Sequence, residues 1–272
     1  SLSIRRTLVI LGAIYFFLHL KHLVLWLNQD NSDLLFWNLD RWLHFGVQPN
    51  IWAMRTFGPD PFISVLLDWL YIKYFSYKLI VSMFFLTELT GRKLSDAYFF
   101  GYALLWFLGG LGYLVKPADG PCYSVLTPWS VDMSAQKRAH VFPFPVTVDI
   151  PKDYVELYTE AKIPTAKYYQ QKLWEDRQTF LSGKGFPGVF YGISAMPSLH
   201  VAAIVMISGF LWQASSVAGF FGALYGIAIF FGSIFLQWHY AIDGYVGATL
   251  GILIVLIAIK LPQLWPGFKR GE

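Results

Sequence analysis

Runs of apolar residues too long for a buried core helix recur along this chain, and a helix needs only about 20 such residues to cross the hydrocarbon core of a bilayer. They fall at residues 7–27, 62–89, 94–115, 197–212, 217–238 and 243–261. Charged residues make up 14% of the 272, against roughly 25% in an average soluble domain, and mean hydropathy is +0.46. A soluble globular fold is excluded. The expectation is an all-α, polytopic membrane protein with six transmembrane helices in a single domain, residues 1–272.

Two wetter segments interrupt the spans. In residues 28–60, Trp37, Trp42 and Trp52 alternate with Asp33, Asp40, Arg41 and Arg55, the mixture of helices lying at headgroup level. In residues 116–196 hydropathy collapses and prolines recur, which reads as a folded loop outside the bilayer, a cap or lid, with helical composition at 152–162 and 167–181 and a turn at 183–188. The second apolar segment contains Asp68, Lys73 and Lys78 and reads either as a half-helix plus a crossing or as one tilted helix.

The formal charge of +4 comes from scattered Lys and Arg, so a nucleic-acid partner is not expected. Six crossings put both termini on one side, together with Arg5, Arg6, Arg92, Lys93, Lys260, Lys269 and Arg270. The positive-inside rule makes that side cytoplasmic and the 116–196 loop extracytoplasmic, periplasmic or lumenal. The basic start followed by an apolar run resembles a signal peptide, but His19, Lys21 and His22 interrupt the run and no small-residue cleavage site follows, so it reads as a retained span. A single cysteine, Cys122, excludes an intrachain disulfide and a CxxC metal knuckle.

Two strings mark the outer boundary: Ala195-Met196-Pro197-Ser198-Leu199-His200 opening the fourth span, and Trp238-His239-Tyr240-Ala241-Ile242-Asp243 opening the sixth. Proline favours the first helical turn, so Pro197 marks a helix N-terminus whose free N–H groups attract anions, with the Ser198 hydroxyl as a further donor. His239 and Asp243, spaced i, i+4, share a helix face, so the carboxylate can accept one imidazole N–H and leave the other nitrogen free for attack on phosphorus. His200 can then protonate the departing oxygen. Two histidines and one carboxylate suffice for phosphoryl transfer without a metal or other cofactor.

Pro197-Ser198-Leu199-His200 is similar to the PSGH motif, and His239 with Asp243 to the end of the SRxxxxxHxxxD motif, of the type 2 phosphatidic acid phosphatase superfamily. The resemblance covers the last three spans and implies six helices around a lumen-facing site, with His239 as the nucleophile forming a phosphohistidine, Asp243 orienting it, His200 as the acid and Ser198 as a phosphate contact. Gly232 and Ser233 stand where the motif has Ser-Arg, so its phosphate-clamping arginine is absent. The KxxxxxxRP motif has no literal copy; Lys116, in Lys116-Pro117-Ala118-Asp119-Gly120-Pro121 at the equivalent boundary, is its one cationic relic, and Lys137 and Arg138 in the loop are further candidates for the clamp. Leucine in place of the PSGH glycine looks more like the inositol phosphorylceramide synthase and sphingomyelin synthase branch, which implies transfer of a phospho-headgroup from a phosphorylated lipid to a hydroxyl acceptor. The alternative is a lipid phosphate phosphatase, of the phosphatidate or polyprenyl phosphate type, with water as acceptor. An alternative of another class is a membrane transporter or scaffold using polar residues of the first two apolar segments. There, Asp68 with Lys73 reads as a structural pair, and His19 and His22 as snorkelling groups or partners of Asp68.

Overall fold

The computed structural model describes residues 2–28, 31–124, 150–183 and 193–264, and gives the backbone alone for residues 22, 25, 26, 124, 180, 181 and 261–264. All regular structure among the described residues is helical. The order is α1 (Leu2–Leu27), α2 (Asp33–Leu43), α3 (Pro49–Phe57), α4 (Pro61–Leu86), α5 (Arg92–Val115), α6 (Pro121–Ser124), α7 (Lys152–Glu160), α8 (Pro164–Leu181), α9 (Leu199–Ala214), α10 (Ser216–Phe235) and α11 (Ala241–Leu264). Lys137, Arg138 and most of the turn expected at 183–188 lie outside the described residues.

Each of the six apolar runs corresponds to one helix. Among the described residues four are long and apolar enough to cross a membrane: Leu2–Lys21 of α1, Arg92–Val115, Ser216–Phe235 and Ala241–Lys260 of α11. The other two fall short for opposite reasons. The 26-residue α4 is long, about 39 Å at 1.5 Å per residue, but contains Asp68, Lys73 and Lys78, whereas α9 is apolar but has 16 residues. Outward-facing Phe220, Phe221, Leu224 and Ile227 on α10 and Ile252, Leu253 and Leu256 on α11 form a surface that lipid solvates and water does not. These helices fit an integral membrane protein.

The second apolar segment is one continuous helix. Asp60 caps it, its carboxylate accepting from the Phe62 and Ile63 N–H groups at 2.8 and 3.2 Å, with Pro61 in the first turn where a missing N–H costs nothing. Asp68 does not pair with Lys73. Its carboxylate instead accepts from the Thr165 and Ala166 N–H groups, both at 2.8 Å, capping α8, while Lys73 lies over the Trp69 ring. A capped helix start offers two fixed donors, which satisfy a buried carboxylate better than one flexible lysine does.

The short α9 is the centre of the bundle, packed against α4, α5, α10 and α11. Between His200 and its exposed last turn it is apolar apart from Ser208, as a helix enclosed by others must be, and Val201, Ala202, Ala203, Ile204, Met206, Ile207 and Phe210 are all buried. Its backbone is approached closely by α11 at Gly247 and Gly251, where an added Cβ would lie 2.3 Å from the Ser198 carbonyl oxygen and 2.5 Å from that of Ala202. Small residues four apart allow this contact. Helix α1 runs parallel to α5. Near the start of both, Arg6, only 4% exposed, bonds Asp96 at 2.6 Å and Glu88 at 2.6 Å; near their ends the Asn28 amide donates to the Leu114 carbonyl at 2.7 Å.

Gly247→Ala should therefore destabilise the protein by about 1–3 kcal/mol, the usual cost of overpacking, whereas Gly226→Ala, with its nearest neighbour at 3.6 Å, should leave thermal unfolding in detergent unchanged.

Candidate active site

The connection between α10 and α11, residues 236–240, is held on all sides by polar groups from outside the bundle. From α3, the Asn50 amide donates to the carbonyls of Ile234 and His239, each at 3.0 Å. From α8, the Gln170 amide donates to the Leu236 carbonyl at 2.8 Å. From α7, the Tyr154 hydroxyl donates to the Gln237 side-chain oxygen at 2.6 Å. These bonds hold Gln237 at φ +65°, a left-handed conformation that side chains other than glycine rarely adopt, and the chain reverses there before His239.

Two buried carboxylates on α2 complete the grip. Asp40 accepts from the Ala241 and Ile242 N–H groups at 2.6 and 2.8 Å, so it caps α11 from a distant helix. Asp33, seven residues earlier and therefore on the same face, accepts from the Tyr240 hydroxyl at 2.7 Å and from the Asp119 and Gly120 N–H groups, both at 2.8 Å. Burial pushes the Asp40 carboxyl up to about 7, against the pull of its two N–H donors. Burial, and then the charge of Asp119, raise Asp33 as well.

On this support His239 sits two residues before α11, not on its face. Asp243, in the first turn, reaches back: one carboxylate oxygen accepts from the Tyr240 N–H at 3.0 Å and faces His239 Nδ1 at 3.4 Å. The i, i+4 contact expected of a regular helix is thus made across a helix start. Both side chains are buried, and the tautomer with the proton on Nδ1 leaves Nε2 unprotonated.

His200, in the first turn of α9, faces the same point, with its ring centroid 6.1 Å from that of His239. Pro197 precedes the helix and does not sit in its first turn. Ser198 is the cap, its Oγ accepting from the Val201 N–H at 3.5 Å, and its own N–H donates to the Asp243 carbonyl at 2.9 Å. This bond and the Gly247 contact fix α9 against α11 and so set the spacing of the two histidines.

The structure brings Ser198, His200, His239 and Asp243 together. Lys116 closes α5 with its side chain exposed. Ser233, in the place of the motif's arginine, turns its hydroxyl back to the Phe230 carbonyl at 2.7 Å, and its carbonyl accepts from the His239 N–H at 3.2 Å. The sequence reading missed the supporting Asp33, Asp40, Asn50 and Gln170. Its available signal was the pair of acids seven residues apart in a tryptophan-rich amphipathic helix. Among the described residues no group of three or more His, Cys, Asp or Glu side chains is placed to hold a metal ion.

Compared with known families, residues 34–257 match the PAP2 superfamily. Comparison with curated proteins and with solved structures returned no match.

A carboxyl whose pKa is higher in the folded state than its unfolded value near 4 contributes stability that is complete below about pH 4 and is lost as pH rises through the folded value. The difference in thermal stability between the wild type and Asp40→Asn should therefore shift steadily against the wild type from pH 4 to about 7 and then level off. A difference moving in favour of the wild type over that window would contradict the buried-carboxyl account.

Proposed function

Because the chain belongs to the PAP2 superfamily, which marks a phosphatase-type lipid phosphoesterase, we propose that it cleaves a phospholipid or lipid-phosphate ester through a phosphohistidine and transfers the phospho-headgroup to a lipid or alcohol acceptor. The observation that carries this reading is the pair of imidazoles from distant parts of the chain, 6.1 Å apart at their centroids, one of them facing a buried carboxylate. Phosphoryl transfer between the two rings requires a near-attack contact of about 3–3.5 Å from one ring nitrogen to phosphorus and a hydrogen bond of about 2.6–3.2 Å from the other to the departing oxygen.

In the first half-reaction His239 Nε2 attacks phosphorus, forming the N–P bond as the bond to the ester oxygen breaks, and His200 gives its proton to that oxygen. Asp243 holds the Nδ1 proton and stabilises the charge that develops on the ring. In the second half-reaction the acceptor oxygen attacks phosphorus, its proton passes to His200, and the N–P bond breaks. No metal enters either half. Ser198, whose oxygen accepts the Val201 N–H, keeps its hydroxyl proton to donate to the phosphate. With water as acceptor the same steps describe a phosphatase. The PSLH form of the motif and the absent arginine favour transfer, because a diester carries one negative charge where a monoester carries up to two.

The reading includes six crossings, α1, α4, α5, α9, α10 and α11, with both termini cytoplasmic and the site extracytoplasmic. Supporting it, Arg6 and Arg92 gather at the start of α5, whereas the site adjoins its far end, where Gly109 and Gly112 face Leu199 and Pro197.

His239→Ala should abolish turnover of a labelled phospholipid by the purified protein. His200→Ala should lower it by about 10²–10⁴-fold for an alkyl ester but much less for a nitrophenyl ester, whose leaving group needs no proton. A new phospholipid as product supports transfer; free phosphate from a monoester, with no exchange product, would replace it with the phosphatase reading. Equal loss on both esters would remove His200 from the acid role.

A further inference from the structure

The site described so far has two histidines but no cation to balance a phosphate. On the α4 side, however, the His200 ring is surrounded by Tyr74, Tyr71 and Phe75, at centroid distances of 4.7, 5.0 and 5.7 Å. The Lys78 ammonium lies against two of the same rings, 5.5 Å from the centroids of Tyr74 and Phe75, and 4.7 Å from that of Trp106 on α5. Imidazole and ammonium thus share one aromatic wall. Lys78 and Lys21 are also both within Coulombic reach of His200.

The hydroxyls of Tyr71 and Tyr74 are buried and have no hydrogen-bond partner among the described residues, the side chains being only 7% and 1% exposed. A buried hydroxyl without a partner costs free energy comparable to a lost hydrogen bond, so two of them one turn apart, beside an ammonium held only by aromatic faces, call for an acceptor. The wall also borders the place of the motif's missing arginine: a Cβ at Gly232 would lie 3.6 Å from the Tyr71 ring, and Ser233 next to it is turned away.

We propose that Lys78, with the hydroxyls of Tyr71 and Tyr74, binds the phosphate oxygens beside His200 and takes the place of the absent arginine. This assignment rests on the phosphoryl-transfer reading for its role, but the binding itself is separable from turnover. The ammonium supplies the charge and the two hydroxyls supply oriented donors, a combination suited to a tetrahedral oxyanion. The cation then comes from α4, where the motif has an arginine on the helix that is α10 here.

The test uses the full chain in detergent and measures affinity for inorganic phosphate and for orthovanadate. Lys78→Met should weaken both by at least about tenfold, the loss expected of one charge-assisted bond. Lys78→Arg should retain most of the affinity, the Tyr71→Phe/Tyr74→Phe double variant should weaken it several-fold, and Lys73→Met, on the same helix but exposed, should leave it unchanged. Wild-type affinity in a folded Lys78→Met, or no phosphate binding by the wild type, would overturn the assignment. If Lys78→Met does not fold, unchanged affinity in the double tyrosine variant overturns it. The two readings fail differently: a wrong reaction leaves Lys78-dependent phosphate binding without lipid turnover, whereas a wrong cradle leaves turnover intact in Lys78→Met.

Discussion

The capping of α11 by Asp40, a carboxylate on another helix, is the contact from which the rest of the site follows. A helix start leaves backbone N–H groups without partners, and at Ala241 and Ile242 these are met from across the fold and not by a local cap. That fixes where α11 begins, which in turn places His239 just outside the helix and Asp243 in its first turn. Asp33 holds the Tyr240 hydroxyl between them. Helix α2 is therefore part of the scaffold of the histidine pair.

The same device recurs at α8, where Asp68 on α4 caps the helix, and Gln170 of α8 then bonds the Leu236 carbonyl. The polar helices are tied to the apolar bundle by carboxylates and amides aimed at backbone groups. Such bonds are directional and strong where water is scarce. A site at the mouth of an apolar bundle needs them, because dispersion packing alone does not fix the rotation of one helix start relative to another.

Much of the framework was legible in the sequence because the physics is one-dimensional. Long apolar runs mark helices, and each of the six corresponds to one. The Pro-Ser-Leu-His and His-Tyr-Ala-Ile-Asp strings mark the two ends that meet. Less legible was anything depending on which helix a side chain faces. Asp68 reads as a partner for Lys73 because i, i+5 neighbours are visible in a string and the start of α8 is not. Pro197 was expected inside the first turn, but the buried Ser198 takes the cap and its N–H bonds Asp243, so the helix begins later. The cations that the string offers lie near the motifs and in the loop, yet Lys116 is exposed. Lys78 lies more than a hundred residues before His200 in sequence, and the two share the Tyr74 and Phe75 rings.

Whether His239 Nε2 is the nucleophile toward phosphorus is tested most directly by stopping the reaction with a headgroup-labelled phospholipid within one turnover and locating the label by mass spectrometry. A phospho-headgroup on His239, stable in alkali and lost in acid, and missing from His239→Ala, is the predicted result. Turnover with no protein-bound label, or with the label on another residue, would contradict the account.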